Sequence, residues 1–128
     1  MKTIFLIIFL SIMFLGISAP IYIYIKAERM IIKTILTLVL LGAIPITWYM
    51  TSVFKIEYNE NTVAHGYPIP IVIFQRDAPG GPWLDYVGPT TILAYPINYI
   101  AYIILPVLVL LITTIIISRR KIKQDRLS

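Results

Sequence analysis

Three long apolar stretches without a charged side chain constrain this chain more than any other feature. The first, TIFLIIFLSIMFLGISAPIYIYI, runs 23 residues from Thr3 to Ile25. As a helix it spans roughly 35 Å, more than the ~30 Å of a hydrocarbon core. The second runs 21 residues from Thr34 to Phe54. The third lies within Val87–Ser118, which is too long for one perpendicular span. Pro96 near its start disfavours helix there, so the expected helix is 97–118, with 87–96 as an interfacial entry segment.

Lipid offers the backbone no hydrogen-bond partner, so apolar segments of this length cross as helices. The expected fold class is an all-α membrane protein with transmembrane helices at 3–25, 34–54 and 97–118. An outer loop at 55–90 holding a short β-hairpin, and a basic cytoplasmic tail at 119–128, complete a single membrane domain over 1–128. Composition agrees: 59% of residues are hydrophobic and 13% charged, against about 25% charged in soluble domains. That balance excludes an ordinary soluble domain and a disordered chain.

The first stretch has one competing interpretation. Lys2 precedes it, and Ile17-Ser18-Ala19 resembles a signal-peptide cleavage site. The apolar run continues to Ile25, however, and Pro20 would occupy the poorly tolerated position after the cut. An uncleaved helix is the expectation.

Basic residues set the expected orientation. Lys26, Arg29 and Lys33 lie between the first two stretches, and Arg119, Arg120, Lys121, Lys123 and Arg126 follow the third. With three spans these segments share a side, eight basic residues against Lys2, Lys55 and Arg76 on the other. The positive-inside rule then puts the N-terminus outside and the C-terminus in the cytoplasm. The expected location is an integral position in the plasma membrane. Trp48, Tyr49, Phe54, Trp83, Tyr86 and Tyr95 cluster at the expected outer boundary, where amphipathic rings favour the headgroup layer. The tail RRKIKQDR serves as a stop-transfer anchor, with attraction to anionic lipid as a second role. It is too short and too close to the membrane for nucleic acid.

The spans contain no charged residue, which argues against a proton relay, voltage sensor or ion pump. Pro20, Pro45 and Pro106 each remove one backbone donor and are expected to act as static kinks. Gly16, Ser18 and Ala19 in the first helix and Gly42 and Ala43 in the second are candidates for close helix contact. Asn98 is the costly polar residue, because its amide needs a partner that lipid cannot provide. Thr47 and Thr51 lie at a suitable depth to serve it.

In the outer loop, KIEY (Lys55–Tyr58) and IPIVIF (Ile69–Phe74) read as two short strands, the second confined to an edge by Pro68 and Pro70. RDAPGGPWLDYVGP is dense in turn residues and forbids a helix. Tyr67, Pro68, Ile69, Pro70 and Trp83 are expected to pack over the helix ends and, with Asn98, to form the candidate interaction site. His65 is the sole histidine, and the loop acids show no metal-ligand spacing, so no metal or cofactor is expected. The chain has no cysteine, hence no disulfide, thiolate site or haem attachment. A Ser-His-Asp set, HExxH, P-loop and GxGxxG are all missing, and enzyme activity is not expected.

The string HGYPIP, His65 to Pro70, precedes a last helix with Asn98 near its start. It resembles a group of uncharacterised small prokaryotic multi-pass membrane proteins with a Gly-aromatic-Pro-x-Pro outer loop. The resemblance covers residues 64–112 and implies a topology, not an activity. The expectation that the plasma membrane is that of a prokaryote comes only from this resemblance.

The expected function is therefore association: an accessory subunit of a larger membrane complex or a self-associating scaffold, with membrane lipids and other membrane subunits or itself as partners. An oligomeric channel or transporter subunit is the alternative, with Tyr95, Asn98, Tyr99 and Tyr102 facing a lumen. A lipid-modifying enzyme is a third possibility and would need His65 or Asp77 as a base.

Overall fold

The computed structural model describes residues 2–86 and 91–125. Three helices are long and apolar enough to cross a membrane, compatible with a multi-pass membrane protein. Helix α1 covers Lys2–Lys26, α2 Met30–Ser52 and α3 Thr91–Asp125. Between α2 and α3 lie four strands, β1 (Lys55–Asn59), β2 (Thr62–His65), β3 (Val72–Gln75) and β4 (Leu84–Tyr86). They form one antiparallel sheet in sequence order.

The helices outrun the apolar stretches. Helix α2 opens at Met30, because Lys33 is a good helix former and does not interrupt the helix. Helix α3 opens at Thr91 and takes Pro96 into its second turn, where the ring forfeits one bond, to the Ile92 carbonyl. The entry segment expected at 87–96 is thus helical from 91, and its residues 87–90 lie outside the described residues. At the other end α3 runs on to Asp125, so the basic tail is helix as far as it is described. Pro20, Pro45 and Pro106 all lie inside continuous helix.

The chain divides into two compact units. The first holds α1, Met30–Gly42 of α2 and α3 from Ile103 onward. Its core is one buried stripe per helix: Gly16, Ala19 and Ile23; Ile32 and Leu36; Ile103, Val107, Leu110 and Thr114. Spacings of three and four keep each set on one helix face. Gly16 and Ala19 are buried, but Gly42 faces open space, since a Cβ there would meet nothing within 4 Å. The ammonium of Lys33 sits 5.0 Å from the centre of the Tyr24 ring.

The second unit, Ala43–Tyr102, holds the rest of α2, the sheet and the start of α3. Ala43, Thr47 and Thr51 form the buried face of its α2 segment, with Ala94, Asn98 and Ile100 buried on α3 and Ala64 on β2. The sheet is larger than the hairpin expected from sequence. β1 pairs with β2 (Ile56 opposite Ala64), β2 with β3 (Ala64 opposite Ile73), and β3 with β4 (Phe74 opposite Asp85). TVAH was too short to stand out as a strand, yet it is central. The edge position expected for IPIVIF is corrected too. The strand begins only at Val72, beyond both prolines, so no missing donor prevents β3 from pairing on both sides.

Turn chemistry accounts for the connections. Asn59 Oδ1 accepts the Asn61 N–H at 2.8 Å, and a register shift follows Glu57. Ala78-Pro79-Gly80-Gly81 is closed by the Gly81 N–H to the Ala78 carbonyl at 2.9 Å. Proline second and a glycine at φ +81° third suit a type II turn.

Candidate functional site

The site grows out of an unmet requirement of α2. The last carbonyls of a helix have no partner within it. Here the chain returns from β2 to supply one of them: the Tyr67 N–H donates to the Met50 carbonyl at 3.0 Å, while the Gly66 N–H donates to the carbonyl of Phe54, just past the helix end, at 2.9 Å. This close approach is possible only because residue 66 is glycine. Its φ is +102°, and a Cβ would lie 2.9 Å from the Thr51 carbonyl oxygen. The Ile71 N–H closes the loop onto the His65 carbonyl at 2.8 Å, and the Tyr67–Pro68 peptide within it is cis.

Helix α3 grips the same loop. Asn98 is fully buried. Its Oδ1 accepts the Ile69 N–H at 2.9 Å, while its Nδ2 donates to the Ile69 carbonyl at 2.9 Å and to Thr51 Oγ1 at 3.0 Å. Both donors of the amide and one acceptor position are therefore used. One turn further on, the Tyr102 hydroxyl donates to the Tyr67 carbonyl at 2.5 Å. One turn earlier, the Tyr95 hydroxyl and Ser52 Oγ are hydrogen-bonded at 2.6 Å. Tyr95, Asn98 and Tyr102 follow the i, i+3, i+7 spacing of one helix face. They tie α3 to the end of α2 and to the loop.

The six residues named from the sequence fall into two groups. Tyr67, Ile69 and Asn98 take part in this hydrogen-bonded latch, and Pro68 and Pro70 flank its central residue. Trp83 has a different neighbour: its ring lies 4.7 Å from the Arg76 guanidinium. Arg76 also donates from Nη2 and Nε to the Glu60 carbonyl, at 2.6 and 2.9 Å, and from Nε to Asn61 Oδ1 at 3.1 Å. It fastens the β1–β2 turn while its guanidinium faces the Trp83 ring. His65 stacks edge-on against Phe74 with ring centres 5.1 Å apart. Gly66 and Ser52 were missed from the sequence. The only signal for Gly66 was its place before an aromatic-Pro pair, and Ser52 gave none.

Thr47 differs from its neighbour Thr51. It is 4% exposed, and its hydroxyl has no hydrogen-bond partner among the described residues. Among the described residues no three of His, Cys, Asp or Glu gather as a metal site would require. Chemically, the arrangement around Asn98 fixes structure: its polar atoms point at backbone and hydroxyl partners of the chain itself.

Comparison with protein-family models, curated proteins and solved structures finds no match to this chain. These comparisons lend no support to the resemblance expected from the HGYPIP string.

Proposed function

We propose that this chain is an integral membrane protein of three spans that acts by association, as an accessory subunit of a larger membrane complex or a self-associating scaffold. One observation carries the reading: large apolar side chains project outward from all three helices. Phe14 is 73% exposed on α1, Leu38 65% on α2 and Leu105 70% on α3. Water penalises such contiguous surface, whereas lipid or an apolar partner matches it. The eight-to-three distribution of basic residues supports an outside N-terminus and a cytoplasmic C-terminus.

The pore alternative has less support. Three of the four side chains that would line its lumen, Tyr95, Asn98 and Tyr102, already spend polar atoms on partners within the chain. The association reading is tested by expressing the tagged full chain, washing membranes with alkaline carbonate and purifying in mild detergent. Retention in the membrane, together with a stoichiometric co-purifying chain or a defined homo-oligomer, is expected. A monomer without a partner would overturn it.

A further inference from the structure

A second site lies in the first unit. A cavity of about 430 Å³ opens where the α1–α2 connection meets the C-terminal part of α3. Lys26, Arg29, Arg120 and Lys121 line it, against the single carboxylate of Glu28, with the Ser118 hydroxyl among them. Glu28 is engaged by Lys121 at 2.7 Å, both side chains being more than half exposed. No ion pair among the described residues involves Lys26, Arg29 or Arg120.

Like charges repel, so four cations around one cavity are unfavourable unless an anion compensates them. The length of Arg and Lys side chains relieves part of that cost, but the excess of three positive charges over the lining remains. A phosphate suits the arrangement. Its oxygens accept from the planar guanidinium forks of Arg29 and Arg120, from ammonium groups and from a hydroxyl. Ala27, Ile32 and Ile117 add apolar lining. A ligand with a charged head and an apolar body would contact both parts.

We propose that this cavity binds the phosphate of an anionic lipid headgroup such as phosphatidylglycerol. The inference rests on the membrane reading above, which places the basic segments at the cytoplasmic headgroup layer. It goes beyond general attraction of a basic tail to a charged surface, because residues 26–29 contribute half of the cations and the cations line one cavity. Basic pockets between membrane helices on this side suit such headgroups.

The test uses the full chain in neutral detergent, with thermal midpoints and lipid titrations read for three probes: phosphatidylglycerol, phosphatidylcholine and inorganic phosphate. Phosphatidylglycerol should raise the midpoint by about 5 °C at saturation, with phosphatidylcholine near zero. The double substitution Arg29→Gln, Arg120→Gln should weaken phosphatidylglycerol binding by about 30-fold. Arg29→Lys, Arg120→Lys should retain most of it, and Lys55→Gln, a charge loss elsewhere, all of it. Equal responses to the two lipids, or an unaltered titration in the Gln double variant, would overturn the site. If the Gln variant does not fold, loss of affinity at high salt in the parent chain decides the same point. A response to inorganic phosphate alone, lost in the Gln variant, would support a phosphate site with a soluble ligand and overturn the lipid as its source. Carbonate washing separates the two readings: a chain retained in membranes that ignores phosphatidylglycerol fails here only, whereas a chain released by carbonate overturns the membrane reading itself.

Discussion

The side chain of Asn98 pairs with the backbone of Ile69 as a neighbouring strand would, accepting its N–H and donating to its carbonyl, both at 2.9 Å. One amide thereby satisfies two part-buried backbone groups that a loop residue otherwise leaves to water. Its remaining donor reaches Thr51, so a single residue of α3 joins the loop to α2.

Asn98→Leu should therefore cost more than one lost bond. It strands the Ile69 N–H and carbonyl together, and an unsatisfied buried group costs about 1–3 kcal/mol. A destabilisation of about 2–3 kcal/mol is expected, since water reaching the opened loop offsets part of the loss. Thermal melting in detergent checks it, with protease sensitivity of residues 65–71 as a local readout. An unchanged melt and an uncut loop would contradict the latch.

The two glycines of opposite setting make a paired test. Gly66→Ala forces a Cβ against the Thr51 carbonyl at a positive φ and should destabilise by about 2 kcal/mol or more. Gly42→Ala meets nothing and should raise helix stability by up to about 1 kcal/mol. Melting midpoints that move in opposite directions are the expected result.

Two buried threonines four residues apart should also behave oppositely. Thr47→Val removes a hydroxyl without a partner and should be neutral or stabilising by about 1 kcal/mol. Thr51→Val takes an acceptor from Asn98 and should destabilise by about 1 kcal/mol. Combined with Asn98→Leu, the Thr51 change should add little, because both remove the same bond.

Arg76→Ala removes the donors that fasten Glu60 and Asn61, and the cation over Trp83. The sheet should loosen at the β1–β2 turn, at a cost of about 1–2 kcal/mol. Tryptophan fluorescence should shift, because the Trp83 ring loses its covering guanidinium. Identical emission and an identical melt would show that the contact is incidental.

Orientation is tested by single cysteines in this cysteine-free chain. On intact cells an impermeant thiol reagent should label Asn61→Cys and spare Gln124→Cys. The reverse pattern would invert the proposed topology.

The sequence by itself determined the three long helices, because run length and the absence of charge act locally and need no distant partner. It also showed that Asn98 requires a partner, since the hydrogen-bonding demand of an amide is a property of one residue. Only the tertiary structure decided who meets that demand. Ile69 and Thr51 lie 29 and 47 residues away along the chain, and such pairings depend on how loops close. The same holds for the sheet: TVAH lacks a pattern of its own and is a strand because β1 and β3 flank it. The extension of α3 through Pro96 and into the basic tail was equally beyond the hydropathy pattern, which marks where a helix is apolar and not where its backbone bonds end.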